Sequence, residues 1–450
     1  MSNAITKNKM GYAPMLKLII SMSLPSMFSM IIQALYNVVD SIFVAQFDQR
    51  ALTAVSIALP LQMLLVAVAV GSSIGMNSLM SRKLGEGKTS EASCAAVHGI
   101  LLSVLSSLVF LVIGIFATRP FFTAYTSDPV IIEYGVQYTS ICLIFCFGAF
   151  VEITIEKALQ ATGDMIFPML IQLSGAVVNI IFDPLLIFGI GPFPQMGAAG
   201  AAVATVSGQI VAMLFAITVL IVRKNKIKVT FIGFRPSLSM IKSIYAVGFP
   251  SIIMQSISSV LIVALNSILI GFSSDAVNVF GIYFKLQNFI FMPVFGLTHG
   301  VMPIMGFNYG ARKKSRLLSA LKYGIMIAAI IMALGTLLLW ICPQWLLLMF
   351  NATQNMLDIG VIALRIISLH FVFAAAGIML STFFQALGKG VKSLIMSVMR
   401  QIVVILPVAY VMSFVGLEYI WYSFLIAELV SLSLGIFFFI RMYKTELKAL

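Results

Sequence analysis

Long apolar stretches broken by short polar punctuation fill almost the whole chain. Breaks at Gly, Pro and charge divide it into twelve apolar segments, at roughly 15–46, 52–81, 93–118, 131–161, 165–190, 198–222, 241–271, 278–307, 317–341, 358–387, 392–416 and 420–441. A helix needs about 20 apolar residues to cross the hydrocarbon core. Each segment therefore reads as a membrane-crossing helix, and those near 30 residues are expected to tilt, kink or extend past the bilayer. The first run follows a polar, basic MSNAITKNKM and is too long for the core of a cleaved signal peptide, so it is expected to stay as span one. Twelve spans place both termini on one side.

Composition agrees with this pattern. Of 450 residues, 61% are hydrophobic and 10% charged, against roughly 45–50% and 25% in soluble domains. That excludes a cytosolic enzyme and a disordered chain, and it leaves little room for an aqueous domain. The formal net charge of +13 would suggest nucleic acid on a soluble protein. Here basic residues have another role, because they collect in cytoplasmic loops and set orientation. Clusters at 7–17, 82–88, 157, 223–242, 312–322, 389–400 and 441–448 hold 24 of the 28 Lys and Arg. An inside N-terminus puts all of them on the cytoplasmic face. The expectation is a multi-pass plasma (inner) membrane protein with both termini cytoplasmic, membrane lipid around it and no nucleic-acid partner.

The chain also resembles itself at a shift of 225. LPS at Leu24–Ser26 matches FPS at Phe249–Ser251, and VDSIFV around Asp40 matches LNSILI around Asn266 within one residue of that shift. Gln62 matches Gln287, the glycines 71, 75 and 85 match 296, 300 and 310, and QATG at Gln160–Gly163 matches QALG at Gln385–Gly388. Several matches at one offset mark an internal repeat. The expected organisation is an N-terminal six-helix lobe (1–222), a cytoplasmic linker (223–240) and a C-terminal six-helix lobe (241–450). Six is even, so both lobes enter from the same face. They should be related by a pseudo-twofold axis along the membrane normal, the design of alternating-access transporters.

Motif-like features elsewhere carry less. GEGKTS (Gly85–Ser90) ends like a phosphate loop, but the Gly that such a loop needs earlier is Arg82, and the segment lies between two spans. No stretch is long enough for an ATPase domain, so transport must run on an ion gradient or be passive. Cys142 and Cys146 sit one helical turn apart without a matching His or second Cys pair, which favours helix packing over metal binding. A membrane-embedded enzyme would need an intramembrane metal cluster or a Ser/His/Asp set, and neither is seen.

Acids inside spans are costly and mark function by default. Asp40, Glu152, Glu156, Asp183 and Glu428 are in this class, and four of the five lie in the first half. At 3.6 residues per turn, Gln33, Tyr36, Asn37 and Asp40 form one polar stripe on span one. In span five Asn179 stands one turn before Asp183, and Pro184 can free a carbonyl oxygen. Thr205 adds a hydroxyl on span six, whose small residues allow close packing. Two carboxylates, an amide and a hydroxyl can form an oxygen site for Na⁺, or the two carboxylates can share one proton. The plainer reading is a hydrogen-bond network pinning three spans, although an amide would serve that purpose better than a buried carboxylate. Glu152 and Glu156, one turn apart and followed by Lys157, read either as a cytoplasmic-side salt bridge or as an anchor for a cationic substrate. Lys285 and His299 are lone groups in span eight, more simply read as helix–helix donors. Abundant Met and Phe suit a pocket for flat cations, though most must face lipid.

These residues carry a resemblance. LPSMFSMIIQALYNVVDSIFVAQ in span one, QATGD after span four, VVNIIFDPLLIFGIG in span five, GAAVAT in span six and PIMGFNYGA after span eight resemble the MATE (multidrug and toxic compound extrusion) transporters, and among them the MepA-type bacterial branch. The resemblance covers nearly the whole chain. It implies an all-α polytopic protein of twelve transmembrane helices in two six-helix lobes. It also implies an antiporter rather than an enzyme, one that exports small organic cations and drugs in exchange for H⁺ or Na⁺, with no cofactor beyond that cation. The implied ion site falls on Asp40, Asn179, Asp183 and Thr205. The implied substrate contact is Glu156, to which the polar stripe and Glu152 add Gln33, Tyr36 and Asn37, with Gln255 of span seven as a further substrate-contact candidate. Another branch carries a glutamate in span seven and an aspartate in span ten. Here Gln255 stands near the first position and no acid lies within span ten, which disfavours a second-lobe Na⁺ site. A monomer is expected. The alternative is a lipid or polysaccharide-precursor flippase of the related superfamily, which usually adds spans or basic cavity residues. The major-facilitator fold also has 6+6 spans, but its loop after span two is not matched by SRKLGEGK.

Overall fold

A computed structural model describes residues 8–222, 227, 229–230 and 234–450, with the side chains of residues 37 and 38 also outside the description. The described residues are mostly helical and form no strands. In the first half the helices are α1 (Met15–Phe47), α2 (Gln49–Gly85), α3 (Thr89–Phe116), α4 (Thr118–Tyr125), α5 (Pro129–Ile144), α6 (Phe147–Ala161), α7 (Ile166–Phe188) and α8 (Ala198–Val222). The second half contains α9 (Leu238–Leu269), α10 (Ser274–Gly310), α11 (Lys314–Ile341), α12 (Pro343–Leu348), α13 (Gln354–Ser368) and α14 (Phe371–Ala386). There follow α15 (Gly390–Val398), a π-helical turn (Met399–Ile405), α16 (Leu406–Ser413), α17 (Leu417–Ile420) and α18 (Tyr422–Thr445).

Ten helical spans among the described residues are long and apolar enough to cross a membrane. Two bent pairs also qualify, α5 with α6 at 45° and α13 with α14 at 46°, giving up to twelve. The helices start where side chains can replace the missing backbone acceptors. Asp48 caps α2 by accepting the Arg50 amide at 2.7 Å. That bond, with the Arg50 guanidinium behind it, holds the half-buried Asp48 carboxyl below the usual carboxylate range. Asp128 caps α5 in the same way, ahead of Pro129. Gly189, with φ of 72°, ends α7 in the left-handed conformation that glycine adopts without strain.

By contacts the chain forms two compact units, one of residues 28–252 and one of residues 1–27 with 253–450. The division therefore falls inside α1 and α9, whereas the repeat alone placed it in the 223–240 linker. Each unit is completed by the first part of a helix whose remainder belongs to the other. The repeat glycines explain how those parts are received. In the first unit, a Cβ on Gly71 would lie 2.8 Å from the backbone nitrogen of Ile252, and one on Gly75 would collide with the Ile244 carbonyl. In the second unit, a Cβ on Gly296 would lie 2.5 Å from Met27 Cα, and one on Gly300 would strike Ser23. Residues 71, 75 and 252 map onto 296, 300 and 27 at the same 225 shift. The matched glycines are thus two copies of one helix crossing, where only a missing side chain allows the backbones to meet.

The first unit's interior includes a cluster built from Val44 of α1, Ala51 and Ala58 of α2, Tyr138 and Cys142 of α5, Ile187 of α7 and the alanines of α8. In the second unit the N-terminal turn is tied to α10 and α11. Asn308 Nδ2 donates to the Met10 carbonyl at 3.0 Å, and Arg316 Nη2 donates to the Ala13 carbonyl at 2.8 Å. Arg400 requires a correction. The charge pattern grouped it with the loop residues Lys389 and Lys392, but it lies in the middle of the Gly390–Ser413 span and pairs with Glu428.

Candidate ion and substrate site

The first unit gathers a polar cluster from α1, α7 and α8. Gly175 and Gly208 let α7 and α8 approach closely, since a Cβ on Gly208 would lie 2.6 Å from the Gly175 carbonyl. One turn away from this crossing, Asn179 Nδ2 donates to Asp183 Oδ1 at 3.3 Å and to Thr205 Oγ1 at 3.4 Å. Asp183 is fully buried and Asn179 almost so. Asp40 of α1 reaches the same place, its carboxyl close enough to interact directly with that of Asp183. Helix α7 continues through Pro184, which has no N–H to donate. The Ile180 carbonyl therefore loses its α-helical partner beside Asp183.

The arrangement leaves acceptors unspent. Asp40 Oδ1, Asp183 Oδ2 and Asn179 Oδ1 are buried oxygens with no hydrogen-bond partner. Buried polar atoms are nearly always partnered, so three orphans in one cluster require explanation. All three are acceptors, and each lacks a donor or a cation. Two carboxylates in direct contact in an apolar interior cannot both remain bare anions. They must share a proton or hold a cation between them, and the oxygen-only surroundings suit either.

The rest of the α1 stripe leads toward α6. Gln33 Oε1 accepts from Gln172 Nε2 of α7 at 3.1 Å, so that residue is partly committed to helix packing. Tyr36 interacts with Gln33 and lies within electrostatic reach of Glu152, Asp40 and Glu156, linking the two groups of acids. The Asn37 side chain lies outside the described residues. Glu156 is buried with Oε1 unpartnered, while Glu152 is half-buried. Among the described residues no ion pair joins Lys157 to either glutamate. The Lys157 ammonium donates to Gln160 Oε1 at 3.1 Å, and its carbonyl is held by Asn77 Nδ2 at 2.9 Å. The salt-bridge reading of Glu152 and Glu156 is therefore not what the structure contains. Gln255 belongs to the second unit. Lys285 is exposed, with its ammonium 5.6 Å from the Phe350 ring.

Sequence reasoning missed two residues beside the carboxylates. Buried Tyr138 of α5 accepts from Gln62 Nε2 of α2 at 2.8 Å and lies within electrostatic reach of Asp40 and Asp183. Gln62 carried a signal, since it recurs as Gln287 in the repeat, but a tyrosine in an apolar helix carries none. No group of three or more His, Cys, Asp or Glu gathers among the described residues, and the cysteines there are unpaired.

A family model described as MatE matches residues 25–185 and again 250–411, so both halves of the repeat match. The chain belongs to the MATE family. Among similar proteins, the multidrug export protein MepA of Staphylococcus saprophyticus is 26% identical over 411 residues, covering 90% of this chain and 89% of that protein. The FAD transporter of Shewanella oneidensis is 24% identical over 412 residues, again covering 90% and 89%. A solved outward-facing MATE family multidrug resistance transporter superposes with a TM-score of 0.91 at 28% identity, covering 97% of each chain. A solved MATE structure in the straight conformation also gives 0.91 at 28% identity, over the full length of both chains. This MATE chain is a multi-pass membrane transporter of the multidrug efflux family and not an enzyme.

Proposed function

We infer that this MATE transporter is a secondary antiporter. It exports small organic cations and drugs against an inward flow of H⁺ or Na⁺, by alternating access. Asp40, Asn179, Asp183 and Thr205 bind the coupling cation, and Tyr36, Glu152 and Glu156 receive the cationic substrate. Both termini face the cytoplasm of a plasma membrane, on the strength of the one-sided basic clusters. The observation that carries the reading is the convergence of two carboxylates and an amide with three unpartnered buried oxygens. Tyr36 stands between that site and the glutamates, so cation binding at one is electrostatically opposed by cation binding at the other. That opposition is what exchange requires, because the two cargoes must not be held together.

The test separates coupling from passage. Asp40→Asn and Asp183→Asn should each abolish gradient-driven substrate efflux from proteoliposomes while leaving expression intact and substrate–substrate exchange measurable. Gradient-driven efflux at the unmodified rate in both variants would overturn the assignment. A flippase would instead show lipid or lipid-linked sugar translocation and no cation efflux.

A further inference from the structure

The two halves treat one loop of the repeat differently. Between α2 and α3, Lys83 and Lys88 are each held by Glu86 and Glu91, at 2.8 to 3.6 Å. The counterpart at the 225 shift is the turn between α10 and α11. It carries Arg312, Lys313, Lys314 and Arg316, and no acid occurs in the sequence between Asp275 and Asp358. Two of these cations are used within the second unit. Lys313 Nζ donates to the Gly11 carbonyl and Arg316 Nη2 to that of Ala13, both at 2.8 Å.

Lys314, and Lys322 about two turns further along α11, are not used in this way. Among the described residues neither makes a hydrogen bond or an ion pair, and the Lys314 ammonium stands 4.8 Å from the Tyr443 ring of α18. Both lysines line a hollow on α11 together with Ser315, Leu318 and Ser319. The Ser319 hydroxyl donates to the Ser315 carbonyl at 2.8 Å, and that of Ser315 donates to nothing among the described residues.

The face that carries these groups continues as an apolar one. At 3.6 residues per turn, Ser315, Ser319 and Lys322 share a side of α11 with Met326, Ile330, Leu334, Leu337 and Ile341. Those five are 42% to 67% exposed. From Met326 to Ile341 the stripe runs ~22 Å along the axis, more than half of the roughly 30 Å hydrocarbon thickness. Unpaired cations thus stand at one end of a long exposed apolar strip, which is the pattern of an acidic lipid: anionic head, apolar tail.

Orienting the chain asks only for basic residues on one side, and does not require them to be unpaired above such a strip. Nor does the repeat require them, since positions 89 and 97, the first-half counterparts of 314 and 322, are Thr and Val, and Val97 is buried.

We propose that Lys314 and Lys322, with the Ser315 hydroxyl, bind the phosphate headgroup of an anionic phospholipid of the surrounding leaflet, whose acyl chain lies along the Met326–Ile341 face of α11. Basic pockets at the ends of spanning helices take such headgroups. A zwitterionic lipid fits less well, because its own ammonium would face the two lysines. The site does not depend on the transport reading above.

The test uses the purified full-length transporter and native mass spectrometry, with phosphatidylglycerol and phosphatidylcholine of identical chains as probes. The wild type should bind one phosphatidylglycerol about tenfold or more tightly than phosphatidylcholine, the scale set by two lysines at a membrane surface. Lys314→Gln/Lys322→Gln should bind the two lipids to within about twofold. Lys17→Gln/Lys242→Gln removes the same charge from two other exposed lysines, and it should keep the wild-type preference. No preference in the wild type, a preference retained in Lys314→Gln/Lys322→Gln, or one lost equally in both double variants overturns the proposal. Glycerol phosphate should not displace the lipid at millimolar concentration, and displacement would make this a site for free anions and reject the lipid. Should the Lys314→Gln/Lys322→Gln variant fail to fold, a photoreactive phosphatidylglycerol labels the wild type instead. Its crosslinks should fall on residues 314–341, and labelling confined to other segments would reject the site.

Discussion

Thr205 shows how a single hydroxyl supports the carboxylate pair. It accepts the second hydrogen bond of Asn179, whose first goes to Asp183, so it fixes which way the amide faces. Thr205→Val keeps the shape and removes that acceptor. Losing one hydrogen bond in a buried polar network costs on the order of 1–3 kcal/mol. The concentration of driving cation that half-saturates efflux should therefore rise about tenfold, with substrate affinity little changed. An unchanged half-saturation would remove Thr205 from the site. Much of this residue-level chemistry was legible, because a carboxylate in an apolar run is conspicuous and Asn179 lies one turn from Asp183. Tyr138 was not, since its role depends on Gln62 from another helix. Arg400 was misplaced for a similar reason. Its partner Glu428 lies 28 residues away, and the neighbouring Lys389 and Lys392 made it look like a loop charge.

At the level of elements, the matched glycines could be read as repeat markers, but their purpose could not. Only the folded chain shows that Gly75 receives α9 and Gly300 receives α1. Replacing either with Leu should prevent that crossing. The expected result is a large loss of monodisperse, folded protein in detergent, since backbone contacts at this distance have no slack. Gly281→Ala is the control, because nothing lies within 4 Å of a Cβ there. Folding of both leucine variants at control yield would contradict the crossing. The sequence read 131–161 and 358–387 as single spans long enough to kink, but not where, and the structure puts the bends near Cys146 and His370. Neither break contains proline, yet they occur at equivalent positions of the two repeats, 45° and 46° in size. The bend is therefore a property of the repeated architecture, and local residue preference does not account for it.

For the whole molecule, hydropathy and the 225 shift were enough to give twelve spans in two halves, and the family match falls twice at the same spacing. The contacts add that the units trade the first parts of α1 and α9. The halves are alike in architecture and unlike in charge, with acids in the first and an arginine–glutamate pair in the second. The central claim is that Asp40 and Asp183 convert a cation gradient into export. The most direct measurement is substrate efflux in proteoliposomes with pH and Na⁺ gradients imposed separately. One of the two gradients should drive efflux by the wild-type protein, and neither should drive it in Asp40→Asn or Asp183→Asn. Efflux by the wild type that is indifferent to both gradients, or variants that follow a gradient as the wild type does, would contradict the account.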